Sequence, residues 1–78
     1  LIYPNPAKNV VNAVASFSAE IQHAEIINTA GYVVRSYTWE TANGKMTFDL
    51  NDLPAGIYFM RLVDVNNTGV YTEKVIIE

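Results

Sequence analysis

The chain has 78 residues, half of them apolar and none of them cysteine, and a net charge of −3 from five Lys and Arg against eight Asp and Glu. That length leaves space for one small domain burying about two-thirds or less of the surface its unfolded form exposes, and the missing thiols exclude disulfides, thiolate metal sites and a cysteine nucleophile. The cations are scattered singly, and the longest charge-free run, Asn9 to Ala19, falls short of the roughly 18 apolar residues of a membrane helix, so neither a nucleic-acid partner nor membrane insertion is expected.

Val, Ile, Thr, Tyr, Phe and Trp dominate, and Gly, Pro, Asn and Asp cluster between the apolar runs, as in an all-β chain. Ile2 and Tyr3 form a short extended piece stopped by Pro4-Asn5-Pro6, where two prolines fix φ and remove two ladder donors. Val10 to Phe17 places Val11, Ala13, Ala15 and Phe17 on one face. A third run, Glu20 to Asn28, has Ile21, Ile26 and Ile27 as apolar anchors and ends at Ala30-Gly31. Tyr32 to Glu40 alternates, with Val33, Tyr37 and Trp39 predicted on a core face interrupted at Arg35. The turn Thr41-Ala42-Asn43-Gly44 carries an Asn-Gly pair suited to a hairpin.

Lys45 to Leu50 follows, with Met46, Phe48 and Leu50 inward and Lys45, Thr47 and Asp49 outward. Asn51-Asp52-Leu53-Pro54-Ala55-Gly56 then interrupts the pattern. Ile57 to Val65 is apolar on both faces, the signature of a central strand covered on two sides. After the turn Asn66-Asn67-Thr68-Gly69, Val70 to Glu78 makes the last strand. About seven short strands without helical periodicity predict an Ig-like, two-sheet antiparallel β-sandwich.

Chemistry-bearing residues are sparse. His23 lies two positions before Glu25 on one strand face, and Ser16, Ser18 and Ser36 lack the glycine-framed elbow that exposes a nucleophile. Asp49 and Asp52 read as turn formers rather than an acid pair. Asp64-Val65-Asn66-Asn67-Thr68-Gly69 matches the first half of a calcium loop, but its twelfth position is Val75, so a polar hairpin turn is the simpler reading. The Asn66-Asn67-Thr68 sequon marks a glycan only in a eukaryotic secretory route. Trp39 with Tyr37 reads as core rather than a sugar-binding platform. No catalytic residue, metal or cofactor is expected.

Two segments are more specific. Tyr3-Pro4-Asn5-Pro6-Ala7-Lys8-Asn9-Val10, followed by Leu50-Asn51-Asp52-Leu53-Pro54-Ala55-Gly56-Ile57-Tyr58-Phe59-Met60-Arg61-Leu62, resembles the C-terminal sorting domain, type A, of the type IX (Por) secretion system of Bacteroidota. The intervening Ile27-Asn28-Thr29-Ala30-Gly31-Tyr32-Val33-Val34 looks like the family's mid-domain strand, glycine turn and return strand. The resemblance covers essentially the whole chain and carries Pro4, Asn5, Pro6, Gly31, Leu53, Pro54, Gly56, Ile57 and Tyr58 as mainly structural motif residues. It implies a single C-terminal domain, residues 1–78, excised from a longer secreted protein, in keeping with the absent initiator methionine and signal peptide.

What the resemblance implies for function is an address. An N-terminal passenger crosses the periplasm, the domain is recognised by the outer-membrane translocon, and a sortase-like peptidase removes it at or before Leu1, leaving the passenger on the cell surface or released. The family's last strand usually carries a lysine near its end and a final basic residue; Lys74 matches the first and Val75-Ile76-Ile77 the apolar stretch, but Glu78 stands in the last place. Either an acidic end is tolerated or the natural chain continues. Lys74, Val75, Ile76, Ile77 and Glu78 are therefore the expected recognition residues, and deleting Val75 through Glu78 is expected to abolish export. If the last strand is a sheet edge, its unpaired amides and carbonyls invite strand addition by a receptor, or by a second copy in a homodimer. An Ig-like or fibronectin-like spacer or carbohydrate-binding module shares fold and composition and stays open at this point. A small hydrolase or metal-dependent enzyme is the remaining alternative, opposed by the lone histidine.

Overall fold

The computed structural model describes residues 1–16, 20–40 and 43–78. Seven strands follow in chain order: β1 (Ile2–Tyr3), β2 (Val10–Val14), β3 (His23–Asn28), β4 (Val33–Thr38), β5 (Lys45–Asp49), β6 (Gly56–Val63) and β7 (Gly69–Ile77). They form two antiparallel sheets, a three-stranded one in the order β1-β2-β5 and a four-stranded one in the order β4-β3-β6-β7. The two-sheet sandwich predicted from the turn spacing is thus the observed fold. Among the described residues, no helix is long and apolar enough to cross a membrane.

Period-two alternation aims one set of side chains from each sheet into the space between them. Val11, Ala13 and Phe48 come from the three-stranded sheet, and Ala24, Ile26, Met60, Leu62, Val75 and Ile77 from the four-stranded one. Phe48 sits at the meeting point of the aromatics. Its ring is 4.9 Å from that of Tyr37 in an edge-on arrangement and 6.2 Å from that of Trp39, which is 8% exposed and belongs to the core. The alternation predicted for β5 holds, with Phe48 and Leu50 buried, Met46 half-buried against the core, and Lys45, Thr47 and Asp49 exposed.

The two seams of the sandwich are closed by different means. On the β4–β5 side the Tyr37 hydroxyl donates to the Asp49 carbonyl at 2.7 Å, and Arg35 donates to the Asn51 carbonyl at 3.1 Å. This explains the charge that interrupts the core face of β4: Arg35 reaches across the rim. On the β1–β7 side, a backbone segment following β1 makes the link.

Three expectations need correction. First, Val33 is exposed and lies on the outer face, whereas Val34 packs against the core. A bulge does this: Ile26 pairs with Arg35 and Ile27 with Val33, so Val34 is an extra residue that reverses the phase of β4. Secondly, Ile27 is half-buried on the outer face while Ala24 is fully buried, because Ile26 and Ile27 are adjacent and only one can face inward. Thirdly, β6 is central within its sheet but is not covered on both sides. Tyr58, Met60 and Leu62 face the core, whereas Ile57 is 48% exposed, and the strand ends before the exposed Val65. Phe17, Ser18, Thr41 and Ala42, to which a core position, a hydroxyl and half of a turn were assigned, lie outside the described residues.

Candidate recognition site

The motif segments separated in sequence converge on the end of β7. On one side, Gly56, Ile57 and Tyr58 of β6 pair with Ile77, Ile76 and Val75. On the other side runs the strap formed by residues 4–8. The Asn5 side chain bonds twice to the β7 backbone: its Nδ2 donates to the Lys74 carbonyl at 2.8 Å, and its Oδ1 accepts from the Ile76 amide at 3.0 Å. Ala7 then pairs in parallel with Ile77. Its amide donates to the Ile76 carbonyl and its carbonyl accepts from the Glu78 amide, both at 2.8 Å.

Each strap residue has a local reason for its place. Pro4 and Pro6 have no N–H, so a segment built on them cannot form a regular ladder, and the pairing passes to the Asn5 carboxamide and the Ala7 peptide groups. The Tyr3–Pro4 and Asn5–Pro6 bonds are cis. Pro4, Asn5, Pro6 and Lys8 are exposed, while Ala7 is 0% exposed and part of the core. Sequence reasoning missed Ala7. A small residue after Pro-Asn-Pro is too common to signal that it is sealed inside the domain.

The second motif turns the chain into β6. Leu53 packs half-buried on the core, and the Pro54 carbonyl accepts a 2.7 Å hydrogen bond from the buried Tyr58 hydroxyl. That bond ties the proline turn to the strand it precedes. Gly56, at φ 155°, supplies the bend the sequence demanded there. The Gly31 turn lies at the same end of the sheet, since Asn28 is the register partner of Tyr58. Asn28 Oδ1 accepts from the amides of Ala30 and Tyr32, both at 3.0 Å, and Gly31 sits at φ 90°.

The five expected recognition residues fall into two sets. Val75 and Ile77 are 1% and 3% exposed and are core residues; Lys74 and Glu78 are exposed, and Ile76 is half-buried on the outer face. β7 is indeed a sheet edge. The expectation that its end is unpaired is corrected, because the Lys74 carbonyl, the Ile76 amide and carbonyl and the Glu78 amide are taken by Asn5 and Ala7.

The residues weighed for catalysis are placed elsewhere. His23 Nε2 is 3.4 Å from Glu25 Oε2, and Arg61 holds the same carboxylate with two hydrogen bonds of 3.0 and 2.7 Å. The Glu25 carboxylate is thus engaged by a guanidinium through charge-assisted hydrogen bonds. Asp64 Oδ1 accepts from the amides of Asn66 and Thr68 at 2.9 and 3.0 Å, and Asp49 Oδ1 from that of Asn51 at 2.9 Å, which are turn-forming roles. Among the described residues, no group of three or more His, Cys, Asp or Glu is placed to hold a metal ion.

The chain matches a known family. The model described as secretion system C-terminal sorting domain matches residues 1–78, the whole chain. No curated protein and no solved structure matches it.

Proposed function

The chain belongs to the family of secretion-system C-terminal sorting domains, and from that premise we propose that it directs an N-terminal passenger through the type IX translocon, with its recognition centred on the end of β7. The family is that of type IX export signals, which address their carriers to the cell surface or extracellular space, and it is not known as a catalytic family. In the proposed sequence of events the passenger reaches the periplasm, the folded domain engages the translocon, and after export a sortase-like peptidase removes the domain at or before Leu1. The passenger is then attached to the surface or released.

The observation that carries this reading is the convergence of both motif segments on β7. Asn5 and Ala7 flank Lys74 to Glu78 on one side, and Gly56 to Tyr58 pair with the same stretch on the other. A receptor touching this corner meets the exposed Asn5, Ile57, Lys74 and Glu78 and the half-buried Ile76 together. Residues 1–78 fused behind a periplasmic reporter, in a bacterium that has this secretion system, should bring the reporter to the surface. Retention in the periplasm would favour a spacer or carbohydrate-binding module instead. Deleting Val75 through Glu78 is a poor companion test, because it removes two core residues. Lys74→Ala and removal of Glu78 alone alter the surface and spare the core, and a combined variant should reduce surface delivery while the domain remains folded.

A further inference from the structure

The β7 edge is half open and half covered. Ile76 directs both its amide and its carbonyl outward, to Asn5 and Ala7, and period-two alternation therefore directs those of Thr72 outward as well. No hydrogen bond from a described residue reaches the Thr72 groups. Beyond it, from the Lys74 carbonyl to the Glu78 amide, the edge is occupied by the strap through two side-chain bonds of Asn5 and two backbone bonds of Ala7.

The strap lacks the regular ladder of a strand and pairs with β7 through one isolated bridge. Its two prolines donate nothing, and of its side chains only that of Ala7 enters the core. On the other side of β7, the β6 ladder extends unbroken from Gly56 to Leu62. A short edge covered by a loop is a common protection against unwanted strand pairing, and here the cover lies on the stretch expected to be read.

Resting on the sorting reading above, we propose that residues 4–8 form a displaceable cover, and that the partner is an extended polypeptide segment of the export machinery. This segment pairs first with the open backbone at Thr72 and then replaces Asn5 to Ala7 along Lys74 to Glu78. Along that stretch it runs parallel to β7, as the strap does. It carries a small side chain at the place of Ala7, where the core is closed. Main-chain pairing supplies affinity, and the Ala7 position supplies selectivity.

The absence of cysteine makes a lock simple to install. Lys8 and Glu78 each follow directly on the parallel Ala7–Ile77 bridge, and both are exposed. In the reporter fusion, wild type and Lys8→Cys should reach the surface, and Glu78→Cys, which alters an expected recognition residue, sets the level against which the double variant is read. The double variant, with its disulfide verified by non-reducing electrophoresis, should stay in the periplasm. Surface delivery of the locked double variant would overturn the displaceable cover and leave the sorting function standing, whereas failure of the wild-type fusion would strike the sorting reading itself. Native-state hydrogen exchange on the unmodified chain decides independently of the lock. The Ile76 and Glu78 amides should exchange well before the β6–β7 ladder amides, and equal protection would show that the strap never opens by itself.

Discussion

Asn5→Ala isolates the bond between the two ends of the chain. The substitution removes a donor to the Lys74 carbonyl at 2.8 Å and an acceptor for the Ile76 amide at 3.0 Å. A net hydrogen bond contributes about 0.5–1.5 kcal/mol. Both bonds are solvent-exposed, and water can replace the lost partner, so the lower half of that range applies and the pair contributes about 1–2 kcal/mol. Set against roughly 4–12 kcal/mol for a domain of this size, the loss should lower the melting temperature by about 5–15 °C. Trp39, the single tryptophan and buried against Phe48, reports the transition in urea by fluorescence. Hydrogen exchange adds the local measure: the Ile76 amide should lose protection while amides within the β3–β6 ladder fall only as global stability falls. A stability loss below about 0.5 kcal/mol, together with an unchanged Ile76 amide, would refute the assignment of Asn5 as the clasp.

Four further outcomes are expected. Gly31→Ala should cost about 1–2 kcal/mol from backbone conformation alone, because an added Cβ meets nothing within 4 Å yet φ is 90°; Gly31→Asn, measured in the same urea titration, should cost less. Phe48→Ala removes the ring between Tyr37 and Trp39 and should cost about 3–5 kcal/mol, seen as an early urea midpoint and a red shift of tryptophan emission. Burial raises the Tyr37 pKa above the ordinary tyrosine value, with Arg35 opposing and Asp49 adding to the shift. The folded chain therefore holds that proton more tightly than the unfolded one. Its stabilising contribution is complete below about pH 10 and is lost as pH rises through the folded value. Tyr37→Phe should flatten that alkaline decline in melting temperature while removing the bond to the Asp49 carbonyl. The hydrogen bond to Glu73 raises the Tyr71 pKa in the same sense, so Tyr71→Phe should flatten the remaining decline further.

Much of the sandwich was legible because its signals are local. Turn residues punctuate the chain, and alternation in β2 and β5 places Val11, Ala13 and Phe48 inward without ambiguity. The misplaced residues sit where local signals conflict. Ile26-Ile27 and Val33-Val34 are apolar pairs in which hydrophobicity cannot say which member faces in; the β3–β6 register sets Ile26 opposite the buried Met60, and the bulge at Val34 sets the phase of β4. The two apolar faces of β6 misled in a related way, since Ile57 is as apolar as Met60 yet lies on an open surface.

The sequence by itself determined an all-β, single-core, cysteine-free domain and the family to which it belongs, because composition, turn chemistry and the two motif segments are properties of neighbouring residues. Only the tertiary structure decided what the motif touches. Asn5 and Lys74 are 69 positions apart, and no pattern along the chain reports that a carboxamide near the start closes the backbone edge at the end. Edge pairing depends on which strands lie side by side and in what register, and that is settled by packing two sheets around one core. The small size of the chain has a structural counterpart: in this two-sheet sandwich the first turn lies against the last strand.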